Sequence, residues 1–476
     1  MSFDNLIIMK SELLLLAVLF IILFMKILEK PDVSGTTTDH SGFLNVVNCL
    51  LLLNFIAGWF MNGEGRLFGD MFHSSPLLHF EKNVLNLGTL IISLQATEWL
   101  RHHKHVYEFY MLLLSTLLGM FFMISTDNLM MFYLGLELST IPLAALANFD
   151  LDKKRSSEAA MKMIMLSAFS SGVLLFGISM LYGTTGTMSL YELPFLLDGS
   201  GLQLFALVTI FAGFGFKISA VPFHLWTADV YEGAPASVTA YLSVISKGAI
   251  LFVMLPVIYN AFQPLHAYSY RILVLLAIAT MVVGNLFALR QTNLKRLLAF
   301  SSIAQIGFIL VGMSGQSVEG SVSVIYFVLI YLFSNLGAFG VITLVSALTG
   351  KESIADYKGF HSTNPGLSWV LAIALFSLAG IPPVAGFFGK FFLLFSGAGQ
   401  SNYTLVIIAA LNMIVSLYYY LKVIKALFMD KGDAPIPPLQ VSLFPKAALT
   451  LCIIGMLTAG LYGDVYGYIY NLIALR

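Results

Sequence analysis

Four charged residues interrupt long apolar stretches of the chain and are of types that can carry protons. They are Glu137, Lys217, Lys247 and Lys390. A charge near the centre of a bilayer costs about 2.5–3.5 kcal/mol on insertion scales, so such residues usually face a bundle interior or an aqueous path. Burial lowers the pKa of a lysine and a nearby carboxylate raises it, so a lysine whose partner moves can load and release a proton. One carboxylate cannot pair with three lysines, and the set therefore favours a proton relay over an ion pair that only fixes helix packing.

Two of these lysines lie beside breaks that contain proline. Pro222 follows Lys217 by five residues, and the sequence Gly-Ile-Pro-Pro at 380–383 precedes Lys390. Irregular backbone at membrane depth is tolerated only where it is buried in protein or lines water. Interrupted segments at matching positions of two halves are typical of inverted-repeat transporters. A proline in a membrane helix can be a simple kink, but the paired breaks with paired lysines favour two half-channels.

Histidines occur at two places that are candidates for function. His224 ends the first break and is the only histidine close to the charged residues in the sequence. It is either a gate for proton entry or a hydrogen-bonded histidine at the boundary. The run Arg-His-His-Lys-His at 101–105 is either a metal site or a solvated anchor at the membrane surface, and its basic setting favours the anchor.

The composition of the chain identifies the environment of these residues. Its 476 residues are 58% hydrophobic and only 11% charged, with a mean hydropathy of +0.87. Soluble proteins are about 25% charged, so this chain is predicted to be a polytopic membrane protein. The 25 basic and 25 acidic residues cancel, which argues against nucleic-acid binding by charge. The sequence contains no nucleotide loop, metal-ligand cluster or haem motif, so we expect no redox cofactor in this chain.

Apolar runs of about 20 residues, the length that crosses a bilayer, predict an all-α fold of about fourteen transmembrane segments in one membrane domain. The segments, numbered 1 to 14 in chain order, are 6–28, 42–61, 77–98, 107–124, 128–149, 161–182, 202–223, 236–260, 271–289, 297–314, 321–349, 367–395, 403–428 and 445–471. Segments 1–3 occupy residues 1–98, and the C-terminal segment lies in 445–476. Between them, segments 4–8 (107–260) and 9–13 (271–428) are predicted to form two inverted five-helix repeats. Segments 7 and 12 are the broken helices.

The lysines and arginines of the loops predict the orientation. Loops after odd-numbered segments contain sixteen of these residues, and loops after even-numbered segments contain three: Arg66, Lys82 and Arg271. Cytoplasmic loops carry the excess of positive residues. The odd-numbered loops are therefore predicted to be cytoplasmic, with both termini on the opposite side.

At these residues the chain resembles the antiporter-like membrane subunits of respiratory complex I, and most closely the bacterial N-type subunits. The matching stretches are residues 135–138, 158–172, 213–248, 293–304, 356–359 and 380–390. The resemblance places the family's functional glutamate at Glu137 and its functional lysines at Lys217, Lys247 and Lys390. The chain departs from the family pattern at three positions, with Ala228 where proline is usual, Gln305 where histidine is frequent and Phe308 where tyrosine is common. A glutamine orders water but does not titrate, which puts a histidine role in the second half-channel in doubt.

The resemblance implies a proton-translocating subunit of the membrane arm of an NADH-quinone oxidoreductase in the bacterial cell (inner) membrane. Such a subunit is embedded in the lipid bilayer beside other membrane-arm subunits of complex I. NADH, FMN, iron–sulfur clusters and quinone are expected in partner subunits. Three alternatives stay open: a subunit of a multi-subunit cation/proton antiporter, a membrane subunit of an energy-converting hydrogenase, and a structural scaffold without transport.

The first testable prediction concerns orientation. A reporter domain fused after residues 153–155 should face the cytoplasm, and one fused at the C-terminus should face the other side, because positive loops are retained inside. Paired activity assays with one reporter active only inside the cell and one active only outside measure this. The reverse pattern would overturn the predicted topology.

Overall fold

The computed structural model describes residues 7–29, 39–60, 63–432 and 435–474 of the chain. These residues fold into a helical bundle with one small hairpin. The helices are α1 (Lys10–Leu28), α2 (Ser41–Ala57), α3 (Pro76–Leu100), α4 (Val106–Ile124), α5 (Leu129–Ala147), α6 (Lys154–Thr185), α7 (Gly201–Ile218), α8 (Leu225–Gly233), α9 (Ala236–Ala261), α10 (His266–Leu289), α11 (Leu294–Ser314), α12 (Val318–Thr349), α13 (Pro365–Ala379), α14 (Ala385–Ala398), α15 (Tyr403–Phe428), α16 (Leu443–Leu461) and α17 (Asp464–Ala474). Single turns at Leu193–Leu196 and Phe360–Thr363 and 3-10 turns at Gln263–Leu265 and Ile354–Tyr357 connect them.

The helix ends follow ordinary capping chemistry. The Asn293 side chain accepts the Arg296 N–H at the start of α11, and the Ser317 side chain caps α12 in the same way. Asparagine and serine are preferred there because their side-chain oxygens satisfy free N–H groups of the first turn. The long helices α6 and α12 each end at a left-handed glycine, Gly186 with φ +72° and Gly350 with φ +70°. These signals fix the start of α11, both ends of α12 and the end of α6.

The hairpin was not predicted. Strands β1 (Gly65–Leu67) and β2 (Phe72–Ser74) pair antiparallel, with Gly65 opposite Ser74. Between them Phe68, Gly69 and Asp70 have positive φ angles, which reverse the chain within four residues. Strands of three residues are too short to leave an alternating apolar pattern.

Eleven of the described helices are long and apolar enough to cross a membrane, by length and composition alone. The chain is therefore a polytopic all-α membrane protein. Helices α11, α12 and α9 form its centre, with 100%, 94% and 89% of their apolar windows buried, against 28% for α1 and 33% for α15. Of the four charged candidates, Lys247 lies on one of these best-buried helices, α9.

Two sequence-based expectations are wrong in detail. Segment 14 is not one helix, because the chain leaves helical geometry at Tyr462 and a separate helix, α17, begins at Asp464. Lys82 is not a loop residue, since it lies in the second turn of α3 with 1% of its surface exposed. Arg271 is not a loop residue either, because it lies within α10, so that only Arg66 of the three lies outside a helix. On α6, Lys162 forms an ion pair at 2.7 Å with Glu158, one turn before it.

Lys82 is buried because it has a partner on α1. Its Nζ lies 2.5 Å from Glu12 Oε1, and Glu12 is only 2% exposed. Nearby, Lys10 donates to the carbonyls of Ala57 and Phe60 at the end of α2. This polar cluster joins the first three helices, and it explains why α3 carries more polar residues than a lipid-facing span.

Removing one member of the Glu12–Lys82 pair should destabilise the protein. We expect Lys82→Met to cost about 3–5 kcal/mol, because it leaves a buried carboxylate without its partner. The double change Glu12→Leu with Lys82→Met should recover most of that loss. Thermal unfolding of the purified, detergent-solubilised protein measures both.

A matched control is Lys26→Met on the same helix α1. Lys26 forms a half-exposed pair with Glu29 at 2.9 Å, and such surface pairs contribute about 0–1 kcal/mol. Equal losses for Lys82→Met and Lys26→Met would show that the buried pair has no special role.

Candidate functional site

Lys217 is the last basic residue of α7, and its ammonium contacts α5. Its Nζ donates to Thr140 Oγ1 at 2.8 Å. Glu137 lies one turn before Thr140 on the same face of α5. Among the described residues, no cation comes within 4.0 Å of the Glu137 carboxylate, and its buried Oε1 has no hydrogen-bond partner. The structure thus brings Glu137 and Lys217 together without a direct ion pair.

Close packing of α4 against α5 places Glu137 at this depth. A Cβ on Gly135 would lie 2.8 Å from the Met123 nitrogen, and one on Gly119 would lie 2.5 Å from the Ser139 nitrogen. Small residues let membrane helices approach to backbone contact. The glycine of the Gly-Leu-Glu-Leu motif is therefore a packing residue that positions the glutamate.

Lys247 lies in the interior of α9, immediately after a π-helical turn at Leu242–Ser246. It is 1% exposed, and its Nζ donates to Ser302 Oγ on α11 at 2.8 Å. The Tyr231 ring centre is 5.5 Å from the same nitrogen. Single π turns within α-helices occur frequently at functional sites. Here the turn directly precedes the residue whose ammonium crosses to the neighbouring helix.

Lys390 lies on α14 and contacts the break that separates α14 from α13. Its Nζ donates to the carbonyls of Leu378 at 2.7 Å and Ala379 at 3.3 Å, the last two residues of α13. The break leaves these carbonyls without helical donors, and a cation at a helix C-terminus is favourable. Phe308, where the family often has tyrosine, stacks at 4.7 Å from the ammonium.

The break after α13 requires glycine at two positions. Gly380 has φ +85°, and a Cβ on Gly386 would lie 1.7 Å from the Ser377 carbonyl oxygen. The matching break after α7 begins at Ser219 with φ +64°, and its backbone is held by Thr280, whose Oγ1 accepts the Val221 N–H at 3.0 Å. Both interruptions predicted from the sequence are confirmed, at 219–224 and 380–384.

A chain of hydrogen bonds leads from Lys390 toward Lys247. The Gln305 side-chain amide donates to the Leu378 carbonyl at 2.8 Å and to the Tyr420 hydroxyl at 3.1 Å. The Leu378 carbonyl also accepts a hydrogen bond from Lys390. Tyr420 in turn shares a hydrogen bond with Ser301, and the next residue, Ser302, holds Lys247. Gln305 therefore takes part in this connection as a polar link.

Sequence reasoning did not select Tyr420, Ser301 or Ser302. The two serines lie within the matched stretch 293–304, and Tyr420 ends three successive tyrosines in an otherwise apolar segment. Hydroxyl groups in a predicted span are the signal that could have found them. Between Lys217 and Lys247, in contrast, the described part of the chain shows no connecting side-chain hydrogen bond.

His224 lies at the start of α8 and is 9% exposed. Its buried Nδ1 has no hydrogen-bond partner among the described residues, and no hydrogen bond joins it to the glutamate or the three lysines. Its assignment as a gate stays a prediction.

Helix α8, which follows the break after α7, is anchored by charges at its far end. Arg296 on α11 donates to Asp229 at 2.9 Å and Glu232 at 2.8 Å, and Lys162 on α6 reaches Asp229 at 2.7 Å. At its near end, Trp226 Nε1 donates to the Phe216 carbonyl at 3.2 Å. The conspicuous charged and aromatic residues of stretch 213–248 thus hold the broken helix in position.

The histidine run at 101–105 makes local contacts. Arg101 pairs with Asp39 at 2.8 Å, and His103 stacks on Phe149 with ring centres 4.7 Å apart. Burial lowers the pKa of His103, which favours the neutral imidazole. In the described ranges, no group of three or more His, Cys, Asp or Glu residues is arranged to hold a metal.

Known proteins are similar to this chain over the region that contains the four charged candidates. Residues 126–416 match the family model described as NADH:quinone oxidoreductase/Mrp antiporter, TM. The chain is 44% identical to an NADH-quinone oxidoreductase subunit N of Phocaeicola vulgatus over 463 residues, covering 96% of each protein. It is similar to a chain of respiratory complex I from Thermus thermophilus, with a TM-score of 0.79 and 27% identity over 96% of this chain and 98% of that one.

The fold is also shared by a chain of lower sequence identity. A chain of the Mrp complex from Dietzia sp. DQ12-45-1b superposes with a TM-score of 0.86 over 100% of this chain and 97% of that one, at 20% identity. That likeness concerns the antiporter-like fold alone. Identity across nearly the whole length, together with the family match, is decisive: the chain belongs to the N subunits of NADH-quinone oxidoreductase, antiporter-like membrane subunits of respiratory complex I.

Proposed function

We propose that this subunit translocates protons through its own interior along a row formed by Lys217, Lys247 and Lys390, with Glu137 controlling the first lysine. The main support is the chain of hydrogen bonds from Lys390 to Ser301, beside the serine that holds Lys247. Hydroxyl groups can pass protons between buried amines without a redox group, whereas the Leu378 carbonyl only accepts hydrogen bonds and holds Lys390 and Gln305 in place.

The proposed architecture has fourteen membrane crossings. To the eleven long apolar helices it adds α2, the polar α3, and the pair α13 and α14 counted as one broken span. Residues 107–260 and 271–428 then form two inverted repeats, each with its break in the fourth of five helices. Opposite orientation of the repeats follows from their odd number of spans and gives the two breaks access to opposite membrane faces.

We propose that the subunit lies in the bacterial cell membrane with its basic loops in the cytoplasm, next to other membrane-arm subunits. NADH oxidation, FMN, iron–sulfur clusters and quinone reduction belong to partner subunits. Purification of the native assembly tests this placement. A large NADH-oxidising complex is expected, whereas a flavin-free cation/proton antiporter or a nickel hydrogenase would support one of the alternatives.

Replacement of Lys247 or Lys390 tests the row directly. We expect Lys247→Met and Lys390→Met to slow the proton-transfer step by about a hundredfold, since a positioned proton carrier contributes that much or more. Lys247→Arg should not restore it, because guanidinium keeps its proton at any accessible pH. NADH-driven proton uptake into inverted vesicles, normalised to assembled complex on native gels, is the measurement.

Lys422→Met is the matched control, because Lys422 is exposed on α15 and only reaches the Gln291 carbonyl at 3.5 Å. It should pump like the unmodified protein. Normal pumping by assembled Lys247→Arg complex would exclude proton transfer through that amine.

Glu137 is predicted to act as a switch and not as a packing lock. Because its carboxylate makes no direct ion pair within 4.0 Å in the described structure, Glu137→Gln should assemble almost normally yet pump poorly, by about tenfold or more below the unmodified protein. Glu137→Asp should retain much of the activity. Native gels and vesicle pumping, measured on the same preparations, separate assembly from turnover.

A lock would give the opposite pattern for Glu137→Gln, with poor assembly and normal turnover in whatever complex forms. Thr140→Val adds a second comparison, because it removes the observed partner of Lys217 and leaves the carboxylate in place. If assembled Glu137→Gln complex pumps normally, Glu137 does not control the relay.

A further inference from the structure

A cavity of about 410 Å³ lies at the predicted cytoplasmic face, apart from the row of buried lysines. The starts of α6, α9 and α11 line it together with the ends of α3 and α12. Its wall contains Trp99, and an aromatic residue at this level is typical of the membrane interface. The cavity is therefore reached from the layer where lipid headgroups lie.

The cavity wall contains positively charged groups that no carboxylate pairs closely within the described chain. The three acids of its wall each have a close cation: Asp150 with Lys153 at 2.7 Å, Glu232 with Arg296 at 2.8 Å, and Glu352 with Lys295 at 2.9 Å. Lys154 makes no ion pair or hydrogen bond within the described chain, and Arg155 approaches Glu232 only at 3.9 Å. These two residues are the available cations at the mouth.

Two helix N-termini add to this positive potential. Helix α6 begins at Lys154 and α9 at Ala236, and neither first turn is capped by a side chain. Both starts line the cavity. Free N–H groups and the helix dipole make such ends favourable places for anions.

The floor of the cavity provides an independent indication of a ligand. Ser237 and Thr343 are 2% and 4% exposed, line the cavity, and have no hydrogen-bond partner for their hydroxyls among the described residues. Buried hydroxyls are normally satisfied. Beside them, Lys295 Nζ bonds Glu352 and the Ala234 carbonyl at 3.1 Å, which leaves the third N–H of the ammonium for another acceptor.

We propose that this cavity binds a phosphate group, with Lys154 and Arg155 at its mouth and the hydroxyls of Ser237 and Thr343 at its floor. The phosphodiester of an anionic phospholipid and free inorganic phosphate share this chemistry. Basic pockets between membrane helices bind phospholipid headgroups in this way. The bound phosphate bridges the starts of α9 and α11, the helices that carry Lys247 and its partner Ser302, and so holds them in register.

Ligand-dependent thermal stabilisation of the purified, delipidated complex tests the site. The probes are short-chain phosphatidylglycerol, short-chain phosphatidylcholine and inorganic phosphate, each titrated separately. Phosphatidylglycerol is expected to bind best, and equal saturation by inorganic phosphate would identify the free anion as the ligand of the same site. No saturable stabilisation by either anionic probe would overturn the proposal.

Two sets of variants locate the binding. Lys154→Gln with Arg155→Gln should weaken phosphatidylglycerol binding about thirtyfold, from the usual contribution of two basic residues near anionic headgroups. The charge-matched control Lys358→Gln with Lys422→Gln changes two exposed lysines that do not line the cavity, and it should leave binding unchanged. Equal weakening by the control would mean general surface attraction and contradict the site.

Thr343→Val and Ser237→Ala remove hydroxyls without changing charge. Each should weaken binding about tenfold or more if the phosphate reaches the floor, because a hydrogen bond to a charged group is lost. If one of the two variants fails to assemble, the other alone tests whether the phosphate reaches the floor. Unchanged binding by both would show that no anion sits against these hydroxyls.

Discussion

Three lysine side chains have to be held inside an apolar bundle, and the rest of the structure depends on how they are satisfied. Two of the ammonium groups are held by hydroxyls, Thr140 for Lys217 and Ser302 for Lys247, and the third, Lys390, is held by two main-chain carbonyls. All of these partners are neutral. A neutral partner holds an amine in either protonation state, whereas a close carboxylate would favour only the charged state. The choice of partners is therefore consistent with amines that change their charge.

Helix α11 is the element that makes two of these arrangements possible. It is buried along its whole length, and close backbone contacts at Gly284 and Gly307 press it against α10. Ser301 and Gln305, four residues apart, share one face, while Ser302 is turned to a neighbouring face. One helix thus contacts Tyr420 and the α13 break on one side and Lys247 on the other. A helix packed as closely as α11 suits a relay whose hydrogen bonds must keep their geometry while charge moves.

Features set by consecutive residues could be predicted from the sequence, whereas contacts between distant residues could not. Long apolar runs, prolines and glycines locate the segments and both breaks, because span length and backbone irregularity are properties of consecutive residues. The partnership of Lys82 with Glu12 spans 70 residues and that of Ser301 with Tyr420 spans 119, so neither leaves a pattern along the chain. The end of α16 at Tyr462 was missed because no proline marks it.

The interior also contains polar atoms that the protein itself does not satisfy. Glu137 Oε1, the hydroxyls of Tyr231 and Tyr331, and Gln305 Oε1 are buried without a hydrogen-bond partner among the described residues. Tyr231 adjoins Lys247, Glu137 lies one turn from the Thr140 that holds Lys217, and Gln305 belongs to the chain from Lys390. Such groups are normally completed by ordered water, which can both donate and accept. A relay between amines that share no direct bond needs intermediates of that kind, and the unused polar atoms lie beside the lysines that such intermediates would connect.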